Sequence, residues 1–441
     1  MGNYALFTLL LFATNQVVQL DPAWQDPKQT AYRKLRSDAE GISLPLVTGP
    51  KGYLHKITLG SHRKTFNVMV SLRSSLLWIP NVNCKGSCEN KNKFNSSASK
   101  TFVPDGREWT LKGYGGAING VLGMDTIKDS NGKLAMSNGT FGMATNVSAE
   151  VDLPGADGVL GLAYKADSGT GIPFIMQLIN GKVLDSNMFT IHLKQHSQNG
   201  EDAGSVIYGA EDSTNCMTNI TYQRFSPMTT YQIQVKSITM GMFSYTQQFF
   251  MIPDTTPLIS VPKPVADQIA NSVGAKYIDG SYEIPCYKTI PSLQFNTEKA
   301  KYSISPEVLV VKMGNKCILA LSSSSDAKWY FGAPLFKQYC VTFNLKKSNL
   351  GLASIKSGNF TTSSTRRSFN STTPRNITHI ASSSTRRFVN STTPRNITVI
   401  PFSSTRVSNT TSLPVISTTK SVALVLHSYG VFTLICSLVN L

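Results

Sequence analysis

The sequence predicts an all-β body, and three observations carry that prediction. Short runs rich in Val, Ile, Thr, Tyr and Phe recur between Gly, Pro, Asn and Ser over residues 49–356, as at residues 53–59 and 65–70. Runs of this kind, bounded by turn residues, are typical of strands. Apolar residues recur three and four apart mainly at residues 174–178 and 265–273, which predicts short helices there. Charged residues make up 15% of the chain, too few for long solvated helices.

The length of the chain predicts more than one domain. With 441 residues it exceeds the usual size of a single compact domain. An all-β body as large as residues 49–356 is expected to divide into two halves. We place the first lobe at residues 49–210 and the second at residues 211–356.

The distribution of charge excludes nucleic acid as a partner. The net charge is +17, but residues 357–420 contribute eight basic residues and no acidic one, so +9 remains for the rest of the chain. A nucleic-acid-binding domain concentrates its basic residues on one folded face, with aromatic residues between them. No such pattern is present in the sequence of the body.

Both ends of the chain predict export. The apolar run at residues 4–13 is too short to span a bilayer and predicts a signal peptide at residues 1–20, with a buried N-terminal strand as the alternative. A short pro-like segment at residues 21–48 follows. The hydrophobic residues 421–441 predict a GPI-anchor signal; the alternatives are a tail-anchored transmembrane helix and a tail retained on a secreted protein. We therefore expect a secreted or cell-surface protein that reaches the membrane through this tail.

A repeat rich in Ser, Thr and Pro lies between the body and the tail, within residues 357–420. Residues 364–378 recur as residues 384–398. Two copies without an apolar face cannot stack into a core, so we predict an extended, glycosylated stalk. Asn-x-Ser/Thr sequons, which are acceptors for N-glycans in exported proteins, occur in body and stalk. They lie at Asn95, Asn138, Asn146, Asn219, Asn359, Asn370, Asn376, Asn390, Asn396 and Asn409.

The cysteines of an exported chain are expected to be oxidised. Cys84 and Cys88 can close a tight loop, and Cys286 and Cys317 can close a longer one. The pairing of Cys216 and Cys340 is left open. A metal site at Cys84 and Cys88 would need further Cys or His ligands nearby, and none follow in the sequence. We expect neither a metal nor a cofactor.

Two segments of the body resemble each other. Residues 66–80 and residues 249–262 each consist of a β run, a short polar turn and apolar residues that end in Pro. Each is followed by an apolar-apolar-Gly element that ends at Gly161 or Gly332. This pattern predicts a loop threaded by a neighbouring strand, because glycine permits a close approach of backbones.

These motifs resemble the pepsin-like aspartic peptidase family over nearly all of residues 52–355. The resemblance extends to the flap-like Tyr114-Gly-Gly segment and to the positions of Cys84/Cys88 and Cys286/Cys317, where the family places two disulfides. It implies a bilobal double β-barrel with a deep peptide-binding cleft between the lobes. In the family, two Asp-Thr-Gly motifs bring two carboxylates about 3 Å apart, where they share one proton and activate a water.

This chain departs from that chemistry at both motifs. The second motif is Asp254-Thr255-Thr256, which keeps the acid, and the first is Ser71-Leu72-Arg73, in which all three residues are replaced. A serine hydroxyl cannot serve as the ionised half of a carboxylate pair. Leu72 also lacks the hydroxyl that would connect this loop to the other lobe. The resemblance therefore implies a degenerate catalytic site with Asp254 as its remaining acid.

Other residues of the cleft are carried over from the family. Trp78 and Tyr114 match a Trp and a flap Tyr that hydrogen-bond to each other and close over a bound peptide; the alternative is that both are ordinary packed aromatics. Thr255 is expected to line the same site. Arg73 either pairs with Asp254 and lowers its pKa, or turns to solvent and leaves Asp254 hydrogen-bonded to its own turn.

We therefore predict an inactive extracellular homologue that binds a peptide or protein in the cleft. One alternative is an active aspartic endopeptidase that uses Asp254 with an unrecognised second acid. Another is a glycosylated surface structural protein with a vestigial cleft. A serine hydrolase built on Ser71 with His55 or His62 lacks both an orienting carboxylate and a nucleophile elbow.

Overall fold

The computed structural model describes residues 41–166, 170–226 and 230–356, and their structure confirms the all-β prediction. The strands of these residues follow one another as a series of short, mostly antiparallel segments. In chain order they are β1 (Ile42–Gly49), β2 (Gly52–Leu59), β3 (Lys64–Ser71), β4 (Leu77–Gly86), β5 (Val103–Gly113), β6 (Gly116–Asp129), β7 (Ala135–Val147), β8 (Gly158–Gly161), β9 (Met188–Leu193), β10 (Asp202–Tyr208), β11 (Thr221–Arg224), β12 (Ile233–Val235), β13 (Ser237–Met240), β14 (Phe243–Tyr245), β15 (Phe249–Pro253), β16 (Ile259–Pro262), β17 (Lys276–Ile278), β18 (Ser281–Ile284), β19 (Leu293–Asn296), β20 (Lys301–Ile304), β21 (Val310–Met313), β22 (Lys316–Leu319), β23 (Leu321–Ser324), β24 (Trp329–Phe331), β25 (Tyr339–Asn344) and β26 (Asn349–Ser354).

Short helices occupy the two segments where helical periodicity predicted them. These are α1 (Phe174–Asn180), which buries Phe174, Ile175 and Leu178, and α2 (Lys263–Ser272), which buries Val265, Ala266, Ile269 and Ala270. Two further helices, α3 (Pro306–Leu309) and α4 (Ala333–Gln338), and a 3₁₀ turn at Ser96–Ala98 complete the helical elements of the described residues. No pattern in the sequence predicted α3 and α4, because each is too short for apolar residues to recur over two helical turns.

The first half of the body closes into a barrel. The largest sheet has the strand order β11-β26-β25-β9-β10-β1-β2-β3-β8-β4-β7-β6-β5, and an additional pairing joins β2 to β6. That pairing closes β2, β3, β8, β4, β7 and β6 into a ring. Phe66, Val68 and Ile79 on these strands are fully buried, and they form part of the hydrophobic core inside.

The second half consists of three smaller sheets, and it shares the large sheet with the first half. The smaller sheets have the orders β12-β15-β24-β16-β23, β14-β13-β19-β20 and β17-β18-β22-β21. In the large sheet, β25 pairs antiparallel with β9, for example Val341 with Ile191. Strands on both sides of the predicted boundary at residue 210 therefore hydrogen-bond to one another.

Three disulfides join cysteines of the described residues. The expected pairs Cys84–Cys88 and Cys286–Cys317 are both present. Cys216 pairs with Cys340, which resolves the pairing that the sequence left open. This bond ties the segment that precedes β11 to β25.

Several predictions lie outside the described residues: the signal peptide at 1–20, most of the pro-like segment, the stalk at 357–420 with its six sequons, and the tail at 421–441. The four body sequons, at Asn95, Asn138, Asn146 and Asn219, are described, and all four side chains are exposed to solvent. No helix within residues 41–166, 170–226 and 230–356 has the length and apolar character needed to cross a bilayer.

Candidate active site

Two threaded loops form the scaffold of the candidate site. Strand β8 runs between β3 and β4, parallel to the first and antiparallel to the second. Strand β24 lies in the same way between β15 and β16. A Cβ atom on Gly161 would lie 2.4 Å from the Ser74 carbonyl oxygen, and one on Gly332 would lie 2.1 Å from that of Leu258. Glycine is therefore required at both crossings, as the sequence predicted.

The second loop holds Asp254 in a nearly closed environment. The Asp254 side chain is 3% exposed, and its backbone N–H donates to the Phe331 carbonyl at 3.0 Å. Its Oδ1 accepts the backbone N–H of Thr255 at 2.8 Å, and its Oδ2 accepts the Thr256 hydroxyl at 3.2 Å. Each oxygen of the carboxylate thus has a donor from within its own loop.

The first loop keeps a similar turn with a serine in place of the acid. The Ser71 Oγ accepts the backbone N–H of Arg73 at 3.2 Å, and the Ser71 carbonyl accepts the N–H of Leu162 at 2.8 Å. A serine hydroxyl can accept from the amide two residues ahead, as an Asp carboxylate does. The turn therefore forms without the carboxylate. The Leu72 side chain is buried and belongs to the hydrophobic core.

A hydrogen bond connects the two loops. The Thr255 hydroxyl donates to the Val70 carbonyl at 2.7 Å, and Thr255 is buried. The reciprocal bond from the first loop cannot form, because Leu72 has no hydroxyl. Thr255, which we had expected to line the binding site, therefore places its hydroxyl between the loops.

Arg73 reaches from the first loop towards the second. Its guanidinium lies over the ring of Tyr330, with the Cζ atom 4.4 Å from the ring centroid, and its Nη1 lies 3.9 Å from Asp254 Oδ2. The Arg73 side chain remains 53% exposed. The Tyr330 hydroxyl donates to Asp326 Oδ2 at 2.5 Å. Both alternatives for Arg73 are thus partly correct, because it faces Asp254 while Asp254 keeps the hydrogen bonds of its own turn.

The net shift of the Asp254 pKa is upward, although the Arg73 charge acts in the lowering direction that the pairing alternative implies. Burial raises the pKa of Asp254 above its ordinary value, and this effect exceeds the lowering by the Arg73 charge and by hydrogen bonds from Thr255 and Thr256. Removing a carboxylate from water disfavours its charged form, and a guanidinium that is half in solvent compensates only partly. No carboxylate of the described residues is among the groups that shift this pKa.

The hydrogen bond expected between Trp78 and Tyr114 is absent. Trp78 is fully buried, and its Nε1 has no hydrogen-bond partner among the described residues. The ring of Trp109 packs against it, with centroids 6.3 Å apart. Tyr114 packs at the edge of the same cluster.

Tyr114 lies at the tip of the hairpin formed by β5 and β6. Its backbone carbonyl accepts the N–H of Asp152 at 3.2 Å. Ala117, the second residue of β6, donates its N–H to the Ser148 hydroxyl, and its carbonyl accepts the N–H of Ser148, both at 3.0 Å. The hairpin tip is therefore fastened to residues 148–152.

Neither histidine considered for a serine hydrolase serves Ser71. His55 Nδ1 donates to the Pro45 carbonyl at 3.0 Å, and its Nε2 has no partner among the described residues. His62 Nδ1 lies 3.3 Å from the hydroxyl of Ser61 on an exposed turn. The Ser71 hydroxyl thus has no histidine as a base in this arrangement.

Two threaded β loops, joined through Thr255 and carrying an acid on one side, define the class of pepsin-like aspartic peptidases. Residues 52–355 match the family model for eukaryotic aspartyl protease. The chain is 31% identical over 384 residues to aspartic protease 6 of Caenorhabditis elegans, which covers 80% of this chain and 99% of that protein. It is 27% identical over 317 residues to pepsin A of Rhinolophus ferrumequinum, which covers 69% of this chain and 81% of that protein. The chain belongs to the eukaryotic aspartyl protease family.

The partners of Arg73 and Trp78 were not predicted from the sequence. No pattern placed Tyr330 beneath Arg73, Asp326 beside Tyr330, or Trp109 against Trp78. A sequence motif identifies the residues of the threading strand β24. It does not show which side chain from the other loop lies over the ring of Tyr330 in that strand. The departure at Arg73 was the available signal, because a long cation at the tip of a loop needs a partner.

Proposed function

We propose that this protein is a catalytically inactive aspartic-protease homologue, located outside the cell, that binds a peptide or protein segment in the cleft between its lobes. The observation that carries the proposal is the pair of replacements in the first loop. Ser71 stands in the position of the first acid, and Arg73 extends its guanidinium to 3.9 Å from Asp254. The class of protein is that of an aspartic protease, but the pair of acids is incomplete.

The chemistry of peptide hydrolysis explains why these replacements matter. One carboxylate must be ionised to take a proton from water while the other is protonated to polarise the carbonyl of the peptide. Asp254 can supply one of these roles. Ser71 is neutral throughout the working range of such an enzyme, and the first loop instead brings the cationic Arg73 guanidinium to 3.9 Å from Asp254 Oδ2.

The preserved framework supports retention of a binding function. Gly161 and Gly332 still permit both threads, and the Thr255 hydroxyl still joins the loops. A vestigial cleft would have no use for this framework beyond stability. A binding protein derived from a peptidase would keep this loop framework after losing one of its two acids.

Export is part of the same proposal. The signal at residues 1–20, the stalk at 357–420 and the tail at 421–441 support a glycosylated protein held at the cell surface. Three disulfides and four exposed body sequons agree with that location, and pepsin-like aspartic proteases are commonly secreted or lysosomal. Treatment of cells with phosphatidylinositol-specific phospholipase should release the body. Retention in the membrane with the C-terminal residues intact would overturn the GPI anchor.

The test of inactivity compares the full chain with Asp254→Asn. Cleavage of a quenched fluorescent peptide pool is measured across the mildly acidic range, with and without a hydroxyl-bearing transition-state analogue. We expect equal, background cleavage by both proteins. Cleavage by the wild type alone, abolished by the analogue, would establish the alternative of an active endopeptidase. Retention of peptides on the immobilised protein without turnover would distinguish the binding protein from a structural one.

A further inference from the structure

We propose that Arg73 anchors a carboxylate of the bound peptide, so that the cleft of this protein selects acidic peptides or peptide C-termini. This inference rests on the proposed function, because it names the class of ligand that the same site accepts. It is argued from the state of the Arg73 guanidinium and of the groups around it.

The guanidinium of Arg73 has unused donors. A guanidinium carries five N–H groups in a planar fork. No hydrogen bond from these groups to the described residues is found, and Asp254 Oδ2, the oxygen of its ion pair, lies 3.9 Å away, beyond hydrogen-bond distance. The side chain is 53% exposed, so a ligand in the cleft can reach these donors.

The ring of Tyr330 holds the guanidinium in a fixed plane. The Cζ atom of Arg73 lies 4.4 Å from the ring centroid, within the range of a cation–π contact. Tyr330 is itself buried, and its hydroxyl is fixed by Asp326. A planar cation that is already oriented loses less conformational freedom when it binds a carboxylate through two hydrogen bonds.

Asp254 does not compete strongly for these donors. Both of its oxygens already accept hydrogen bonds, from the Thr255 N–H and from the Thr256 hydroxyl. Burial also raises the pKa of Asp254 above its ordinary value. A carboxylate that arrives from solvent can therefore meet the guanidinium without displacing an existing bond.

Two sources can supply this carboxylate: an Asp or Glu side chain, or the C-terminus of a peptide. Both offer the planar pair of oxygens that matches the guanidinium fork. The experiment distinguishes them with two pools of short random peptides. In the first, C-terminally amidated peptides carry either Glu or Gln at one central position. In the second, peptides with central Gln have either a free carboxylate or an amide at the C-terminus.

Each pool is applied to the immobilised full-length protein at neutral pH, and retained peptides are counted by mass spectrometry. We expect at least about tenfold enrichment of the carboxylate-bearing members in one pool. Arg73→Gln should abolish the enrichment, and Arg73→Lys, which keeps the charge but loses the fork, should reduce it. Arg224→Gln, at an exposed arginine on the edge strand β11, is the matched control and should leave it unchanged.

The outcomes separate this inference from the proposed function. Retention of peptides without enrichment in either pool, or enrichment that survives Arg73→Gln, would overturn the role of Arg73 and leave peptide binding intact. Failure to retain any peptide would overturn both. The thermal midpoint of each variant is measured in parallel, and Tyr330→Leu provides an independent arm. We expect that variant to lose most of the enrichment, because it removes the ring under the guanidinium.

Discussion

The two threaded loops of this protein share a backbone arrangement and differ in the side chains that the arrangement presents. In the second loop, Asp254 receives donors from its own turn and Thr255 reaches across to the first loop. In the first loop, Ser71 keeps only the turn, Leu72 is buried in the core and Arg73 extends into the site. Strand β8, which ends at Gly161, crosses the first loop, and strand β24, which is followed by Gly332, crosses the second.

The difference shows that the fold and the chemistry depend on separate features. Threading needs glycine at the crossing and an acceptor that closes the turn, and serine supplies that acceptor as well as aspartate does. Hydrolysis needs two carboxylates with different protonation states. The first loop still meets the requirements for threading, but it has lost the carboxylate that hydrolysis needs.

The largest effect on stability is expected at the glycines of the two crossings. Gly161→Ala and Gly332→Ala each place a Cβ atom within 2.4 Å of a backbone oxygen, which forces the threaded strands apart. We expect each to lower the free energy of unfolding by about 3 kcal/mol or more, measured by urea denaturation. Similar losses at both positions would confirm that the loops are equivalent as scaffolds.

Gly113→Ala is the control for these substitutions. No atom of the described residues outside its own neighbours lies within 4 Å of a Cβ atom at Gly113, so its replacement should change the stability by less than about 0.5 kcal/mol. A loss at Gly332 with none at Gly161 would show that only the loop with the acid is tightly threaded.

A smaller effect on stability is expected at the hydrogen bond between the loops. Thr255→Val removes the donor to the buried Val70 carbonyl, and no hydroxyl at Leu72 provides a second connection. We expect a loss of about 2 kcal/mol in the free energy of unfolding. The matched change Thr256→Val, at an exposed residue, should cost at most about 1 kcal/mol. Equal effects of the two changes would contradict the importance of the connection.

The smallest effect concerns the titration of Asp254. Its pKa in the folded protein is raised above 3.8, so its contribution to stability is present below 3.8 and is lost as the pH rises through the folded value. The Asp254→Asn variant has no carboxyl group to ionise here. Its free energy of unfolding relative to the wild type should therefore rise as the pH increases from 3.8 to the folded pKa, the window of this effect, and then level off. In an Arg73→Gln background the window should extend to higher pH, because the cation lowers the pKa.

Urea denaturation at a series of pH values measures this difference. Asp279→Asn, at an exposed residue in the turn between β17 and β18, serves as the control for replacing a carboxylate with an amide. A difference between the wild type and Asp254→Asn that is independent of pH would mean that burial does not govern this carboxyl group.

The sequence predicted the threaded loops, the two short helices and two disulfides, because these depend on local patterns and on residue types that have few alternatives. Gly161 and Gly332 are examples, since no other residue fits a backbone crossing. The sequence also showed that Ser71, Leu72 and Arg73 replace a catalytic motif. It could not give the direction of the Asp254 pKa shift, because that depends on the balance between burial and a distant cation. The packing of Trp78 against Trp109, which leaves Trp78 Nε1 without a hydrogen-bond partner among the described residues, is also encoded by no local pattern.

The most direct test of the central claim is a stepwise repair of the first loop. Ser71→Asp, the double variant with Leu72→Thr, and the triple variant with Arg73→Gly are assayed for acid cleavage of a fluorescent peptide, each with and without Asp254→Asn. We predict background activity for the single variant, because Arg73 still lies beside Asp254, and cleavage dependent on Asp254 only once Arg73 is removed, with Thr256→Gly added if needed. Robust, Asp254-dependent cleavage by wild type or by Ser71→Asp alone would contradict the account.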